Sequence, residues 1–217
     1  MMPRANFGSF FRSDQLLQLF CGINRLYCRV YHDVTVETPL HLPRTGPAVL
    51  VCNHISGLDP LLLQAASRRV IVWMMAREYF EIRALNWFFK LIRAIPVDRN
   101  GRDTSATRAA LRALKDGSVI GIFPEGRIAP TRELLPFQTG VSLLAARAEA
   151  PIVPAYIDGT NRGQEMAEAF STANRVRLRF GEPFHVPTGP NGKPDLDIST
   201  ERIRKEVASL RHGMLCS

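Results

Sequence analysis

Nowhere does the chain string together the roughly 18–20 uncharged apolar residues that a membrane-spanning helix needs, so any membrane contact is expected to be peripheral. Arg4 and Arg12 stand near the start, but no sustained apolar region or small-residue cleavage site follows them, and no secretory leader is expected. The cysteines are Cys21, Cys28, Cys52 and Cys216, without CxxC spacing. That argues against a zinc ribbon and for a reducing compartment. Cys52 lies in an apolar run and reads as a small hydrophobe. No HExxH or similar ligand spacing is present, so no metal is expected. No GxSxG elbow frames a serine nucleophile; Ser56 has no Gly-framed turn of its own. There is no internal repeat.

The 217 residues, 46% hydrophobic and 22% charged, suffice for one globular domain with a substantial core. A net charge of +8 and a pI near 9.9 imply an anionic partner: nucleic acid, an anionic membrane surface or a phosphorylated substrate. The basic residues are spread along the chain without an RNA- or DNA-binding signature, and the aromatics cluster with aliphatics, which favours lipid or core over base stacking.

Strand and helix patterns alternate. Residues 13–31 predict a helix opened by Ser13, with apolar residues from Leu16 to Tyr31 at helical spacing and Arg25 and Arg29 opposite; it is expected either to pack over a sheet or to lie in a lipid interface. Short strands are expected at 34–37, 48–52, 70–76, 94–99, 119–123, 152–157 and 176–180, the one containing Pro154 at an edge or a bulge. Helices are expected at 60–67, 103–115, 139–149, 163–170 and 199–211. Residues 78–93 mix aromatics with Arg83, Lys90 and Arg93, the pattern of a helix dipping into a membrane. The fold class is therefore α/β: a single domain with a mixed, largely parallel sheet flanked by helices, plus an N-terminal amphipathic helix over 1–33 ahead of a main domain over 34–217.

Two polar stretches follow apolar runs. Asn53-His54-Ile55-Ser56-Gly57-Leu58-Asp59-Pro60 comes after Ala48-Val49-Leu50-Val51-Cys52. Pro60 suits a first helical position and Asp59 its N-cap, so Asp59-Pro60 alone is an ordinary helix start. The turn also lets Asp59 face His54. A carboxylate on one ring nitrogen leaves the other free to take a proton from a hydroxyl. The second stretch is Phe123-Pro124-Glu125-Gly126-Arg127. Sites in such sheets form beyond the carboxyl ends of strands, so both stretches are placed to share one mouth. Arg127 and Arg99 offer planar forks for a phosphate. With no nucleophile of its own, the chain is expected to activate a hydroxyl of its substrate.

These stretches resemble conserved blocks of the glycerophospholipid acyltransferase superfamily, typified by 1-acylglycerol-3-phosphate acyltransferases. Asn53 to Asp59 is similar to its NHxxxxD block, Ala94-Ile95-Pro96-Val97-Asp98-Arg99 to its second, Phe123 to Arg127 to its FPEG block and Ile152-Val153-Pro154-Ala155-Tyr156-Ile157 to its fourth, in family order over roughly 34–185. Arg127 follows Gly126 directly, where many members have arginine two positions after the glycine, and Gln138 stands where a lysine is common.

The resemblance implies a fatty acyl transfer from acyl-CoA or acyl carrier protein to the free hydroxyl of a lysophospholipid, with 1-acylglycerol-3-phosphate giving phosphatidic acid. His54 would be the base and Asp59 its partner. Arg99, Glu125, Gly126 and Arg127 would bind the acceptor, and Pro154 would shape a pocket. No cofactor is implied beyond the co-substrate. The partners expected are the lysophospholipid, the thioester or its carrier protein and an anionic membrane, not nucleic acid, with the enzyme peripheral on the cytoplasmic face. Transfer to another lysolipid, including one with an amine, an acyl-thioesterase activity and a basic nucleic-acid-binding domain remain the alternatives.

Overall fold

The computed structural model describes residues 7–98, 103–131, 133–161, 163–164, 166–187 and 194–215. Its elements run α1 (Phe7–Val30), β1 (Asp33–Val36), β2 (Ala48–Cys52), α2 (Asp59–Ala66), β3 (Ile71–Ala76), α3 (Glu78–Glu81), α4 (Arg83–Leu91), β4 (Ile95–Val97), α5 (Thr104–Lys115), β5 (Val119–Ile122), α6 (Gly140–Arg147), β6 (Ile152–Asp158), α7 (Met166–Phe170), β7 (Arg175–Phe180) and α8 (Leu196–Leu215). The strands form one mixed sheet in the order β1-β7-β6-β2-β5-β3-β4. Five neighbours, β6 through β4, are parallel. β7 pairs antiparallel with β6 and parallel with β1.

β2 and β5 sit centrally because their side chains are apolar on both faces. Along β2, Ala48, Leu50 and Cys52 join one core cluster and Val49 and Val51 the other, as the two-residue period of a strand requires. The first cluster is covered by α2, with Cys28 from α1. The second is covered by α5, α6 and α8 through residues such as Ala110, Leu144 and Ile203. Each fully buried aliphatic side chain contributes on the order of 1.5–3 kcal/mol. The expected α/β layering is thus present.

Four local expectations change. α1 begins by Phe7, so Ser13 lies inside the helix and is not its cap; Phe7, Phe10 and Phe11 extend the helical spacing upstream. Residues 78–93 make two helices, broken where Ile82 turns extended, while the Asn86 side chain donates to the Phe80 carbonyl. Of the two expectations for the Pro154 strand, the edge fails and the bulge holds: the strand is central, between β2 and β7. Its missing N–H falls at an offset: pairing steps from Ala155↔Phe180 to Ile152↔Phe184, three residues against four, with Gly181 donating to the Pro154 carbonyl. α8 starts at Leu196, where Asp195 accepts from the amides of Asp197 and Ile198.

α1 carries apolar residues on two faces. Leu17 and Cys28 are buried, Asn24 donates to the Leu61 carbonyl, and Phe20 meets Phe88 with ring centroids 5.0 Å apart. Arg25 reaches back to the Ala65 and Ser67 carbonyls at the end of α2. On the outer side, Leu16, Leu19, Ile23, Leu26 and Val30 recur at steps of three and four, each more than half exposed. Trp87 on α4 is exposed as well. Among the described residues, no helix is long and apolar enough to cross a membrane.

His32 fastens the α1–β1 corner. It is fully buried, with Nε2 3.0 Å from the Tyr27 hydroxyl and Nδ1 3.5 Å from the Asn174 amide. The Tyr27 hydroxyl donates to the Phe170 carbonyl, so His32 donates through Nε2 and accepts at Nδ1. Burial pushes its pKa below the ordinary 6.5. A lowered folded value favours the neutral ring in the native state. Its contribution is complete above about pH 6.5 and is lost as pH falls through the folded value. The stability advantage of the wild type over His32→Asn, measured by urea unfolding, is therefore expected to shrink between pH 7.5 and pH 5.5; an advantage that holds constant would count against this coupling.

Candidate active site

The loops after the neighbouring strands β2 and β5 meet at the carboxyl edge of the sheet. His54 leaves β2 and its Nδ1 lies 2.9 Å from Asp59 Oδ2. Asp59 is the first residue of α2, and its carboxylate does not cap that helix; Leu58 holds the N-cap position without a side-chain hydrogen bond. Oδ2 turns back instead to accept the amides of Ile55 at 2.7 Å and Ser56 at 3.0 Å, and the Thr160 hydroxyl donates to Oδ1 at 3.4 Å. The expected cap is replaced because a carboxylate with 0% exposure gains more from several converging donors, charge-assisted bonds each contributing about 1.5–3 kcal/mol. With Nδ1–H donating to Asp59, the Nε2 lone pair of His54 is left for a proton. The His54 side chain remains 12% exposed.

The β5 loop grips the same residue. Phe123 stacks on the imidazole with centroids 4.0 Å apart and planes 13° from parallel, and Trp73 stacks behind Phe123 at 4.9 Å. Ala129 donates to the His54 carbonyl at 2.7 Å. Glu125, 6% exposed, accepts the His54 amide on Oε1 and the Leu135 amide on Oε2, both at 3.1 Å. Burial pushes the Glu125 carboxyl up, while those two amides and the imidazole pull it down.

Gly126 adopts φ +72°, and a Cβ there would meet Gln138 Nε2 at 2.5 Å, so Gln138 lies directly over this turn. Arg127 is exposed on the same loop. Arg99 lies outside the described residues.

Cys52 is fully buried. Burial, with Asp59 and Glu125 adding, holds its thiol well above the usual range, so it is protonated and supplies no nucleophile. Among the described residues, no group of three or more His, Cys, Asp or Glu side chains could hold a metal ion.

Several supporting residues escaped sequence reasoning. Asn53 clamps β2 to β6: its amide donates to the Ile157 carbonyl at 3.0 Å and its carbonyl accepts the Ile157 amide at 2.8 Å. Thr160 follows β6, next to β2, so the rule that places sites beyond strand ends could have flagged it. Nothing in the sequence marks Trp73 as a support. An apolar cavity of about 70 Å³ lies beside it, with Leu17, Phe20, Leu61, Phe88 and Phe89 among its walls.

A family model described as Acyltransferase matches residues 33–158, more than half of the chain and both loops of the site. The chain belongs to the acyltransferase family. It is 29% identical over 184 residues to the 1-acyl-sn-glycerol-3-phosphate acyltransferase of Bacillus subtilis (strain 168), a match covering 83% of this chain and 89% of that protein. It is also 29% identical over 172 residues to the N-acylphosphatidylethanolamine synthase of Arabidopsis thaliana, covering 67% and 59%. The crystal structure of the 1-acyl-sn-glycerophosphate acyltransferase of Thermotoga maritima superposes with a TM-score of 0.71 over 94% of this chain and 88% of that one. At 22% identity, this shows the shared fold.

The aromatic stack depends on Gly121 of β5, where a Cβ would meet Trp73 ring atoms at 2.5 Å and Ile71 at 2.7 Å. Gly121→Ala is expected to lower unfolding free energy by about 1–3 kcal/mol through overpacking and to change Trp73 fluorescence. An unchanged urea midpoint and emission spectrum would show that the stack has slack.

Proposed function

We propose that this acyltransferase moves a fatty acyl group from a thioester, acyl-CoA or acyl carrier protein, to the free hydroxyl of a lysophospholipid, 1-acylglycerol-3-phosphate in the first instance, yielding phosphatidic acid. The observation that carries this reading is the His54–Asp59 hydrogen bond of 2.9 Å at the strand ends. The acceptor follows the Bacillus subtilis relative, whose name specifies 1-acyl-sn-glycerol-3-phosphate.

His54 Nε2 takes the hydroxyl proton as the oxygen attacks the thioester carbonyl carbon. Asp59, on Nδ1, orients the ring and stabilises the imidazolium. The C–O bond forms, the C–S bond breaks, and the sulfur leaves with the proton from His54, giving ester and free thiol. Arg127, exposed on the Gly126 turn, pairs with the acceptor phosphate, and Arg99 is the second candidate for it. The apolar cavity behind the Trp73–Phe123 stack receives the start of the acyl chain.

Thiol release from palmitoyl-CoA, with and without lysophosphatidic acid, tests the chemistry. Release that needs the acceptor, yields phosphatidic acid and drops by about 10²–10⁴-fold in His54→Ala is expected. Release without acceptor would mean a thioesterase. Transfer to an amine would match the Arabidopsis thaliana relative, named as an N-acylphosphatidylethanolamine synthase, and overturn the hydroxyl assignment.

The protein reaches these lipids as a peripheral enzyme on the cytoplasmic face. α1 lies in the interface on its Leu16–Leu19–Ile23–Leu26–Val30 stripe, with Trp87 beside it. The net charge of +8 adds attraction to an anionic leaflet. Flotation with anionic liposomes at low salt is expected to carry the wild type and to leave Leu19→Glu/Leu26→Glu behind. Equal flotation of the two would remove α1 from the contact.

A further inference from the structure

The FPEG-type loop does more than line a mouth. Three separate groups of residues 123–129 hold His54: Phe123 on its ring face at 4.0 Å, Ala129 on its carbonyl at 2.7 Å and Glu125 on its amide at 3.1 Å. The other oxygen of Glu125 is spent on the Leu135 amide. Leu135 belongs to a strap that returns to the same loop, where Gln138 donates to the Pro124 carbonyl at 2.9 Å. Glu125 therefore bridges the backbones of two loops from a buried position, while Arg127, two residues on, is the exposed member of the turn.

The geometry points to Glu125 as a positioning residue that acts through His54, holding its backbone and adding a second carboxylate to the proton-accepting side chain, rather than as a group that touches the acceptor. This rests on the acyl-transfer reading above, in which His54 becomes positively charged. Both partners donate, so the bridge needs two acceptor oxygens, which a carboxylate has and an amide side chain does not; burying that charge is costly unless it is compensated. The compensation here comes from two amides and from the neighbouring imidazole, whose attraction to the carboxylate grows when His54 takes a proton. Asp59 at Nδ1 and Glu125 at the backbone amide then flank the imidazolium together.

Steady-state kinetics of the full chain with palmitoyl-CoA and lysophosphatidic acid test the assignment, using Glu125→Gln, which keeps the volume, and Glu125→Ala. Both are expected to lower kcat by about 10–100-fold, the scale of a misplaced catalytic group, with the KM for acceptor within about 2-fold. In Glu125→Gln the acidic limb of the kcat profile moves to lower pH, because a ring with one anion fewer beside it holds its proton less firmly. A KM for acceptor raised about 10-fold with kcat unchanged would make Glu125 a substrate ligand and overturn the proposal. So would a loss of kcat equal at every pH, the mark of a structural role alone. Amide hydrogen exchange supplies an arm independent of turnover: in Glu125→Ala the His54 and Leu135 amides are expected to exchange about 10-fold faster or more, together. Unchanged exchange would sink the bridge even if the wild type transferred no acyl group to lysophosphatidic acid.

Discussion

A carboxylate with no access to solvent must find its hydrogen bonds inside the protein, and much of this site's shape follows from how Asp59 does so. Two amides of the turn it closes and one imidazole nitrogen converge on a single oxygen, while Thr160 approaches the other. Satisfying the carboxylate bends residues 54–59 into a tight loop. The same loop orients His54 and leaves its second nitrogen unclaimed. The buried acid thus shapes the loop and orients the imidazole through the same bonds.

The sheet supplies the rest of the arrangement. Because β2, β5 and β6 are neighbours and parallel, the loops that leave them emerge side by side. His54, Glu125 and Thr160 arrive from three parts of the chain at one edge. Asn53 locks β2 to β6 immediately before the histidine, and the stack of Trp73, Phe123 and His54 runs from the apolar core to the mouth. The His54 ring rests on a column of side chains rather than on a free loop, which fixes its geometry as the proposed role of a base requires.

The two sides of the molecule differ in what they offer a partner. Beyond the α5–α6–α8 layer the helices cover a second core cluster. On the other side, α1 packs one apolar face inward and presents another outward, with Trp87 nearby. The apolar cavity beside Trp73 is walled by α1 and α4, so the surface that would meet lipid and the space that would take an acyl chain share the same two helices.

Much of this was legible in the order of residues. The alternation of apolar runs and helical periods determined the α/β class, and most elements fall within a few residues of their expected bounds, because a strand covered on both faces must be apolar throughout. The pairing of His54 with Asp59 was legible for a similar reason: the two residues are local, and a five-residue turn brings them together with little help. What lies far apart in the chain was not. That Glu125 would spend its oxygens on the amides of His54 and Leu135, that Thr160 would reach Asp59 and that Trp73 would underpin the stack depend on which strands become neighbours. Pro154 illustrates the limit, since a proline in a central strand contradicts local propensity until a partner strand supplies the offset that absorbs its missing N–H. The sequence by itself determined the local pairing of His54 with Asp59 and the character of each segment. Only the tertiary structure decided what supports that pair, because support comes from residues that strand order, a long-range property, brings into contact.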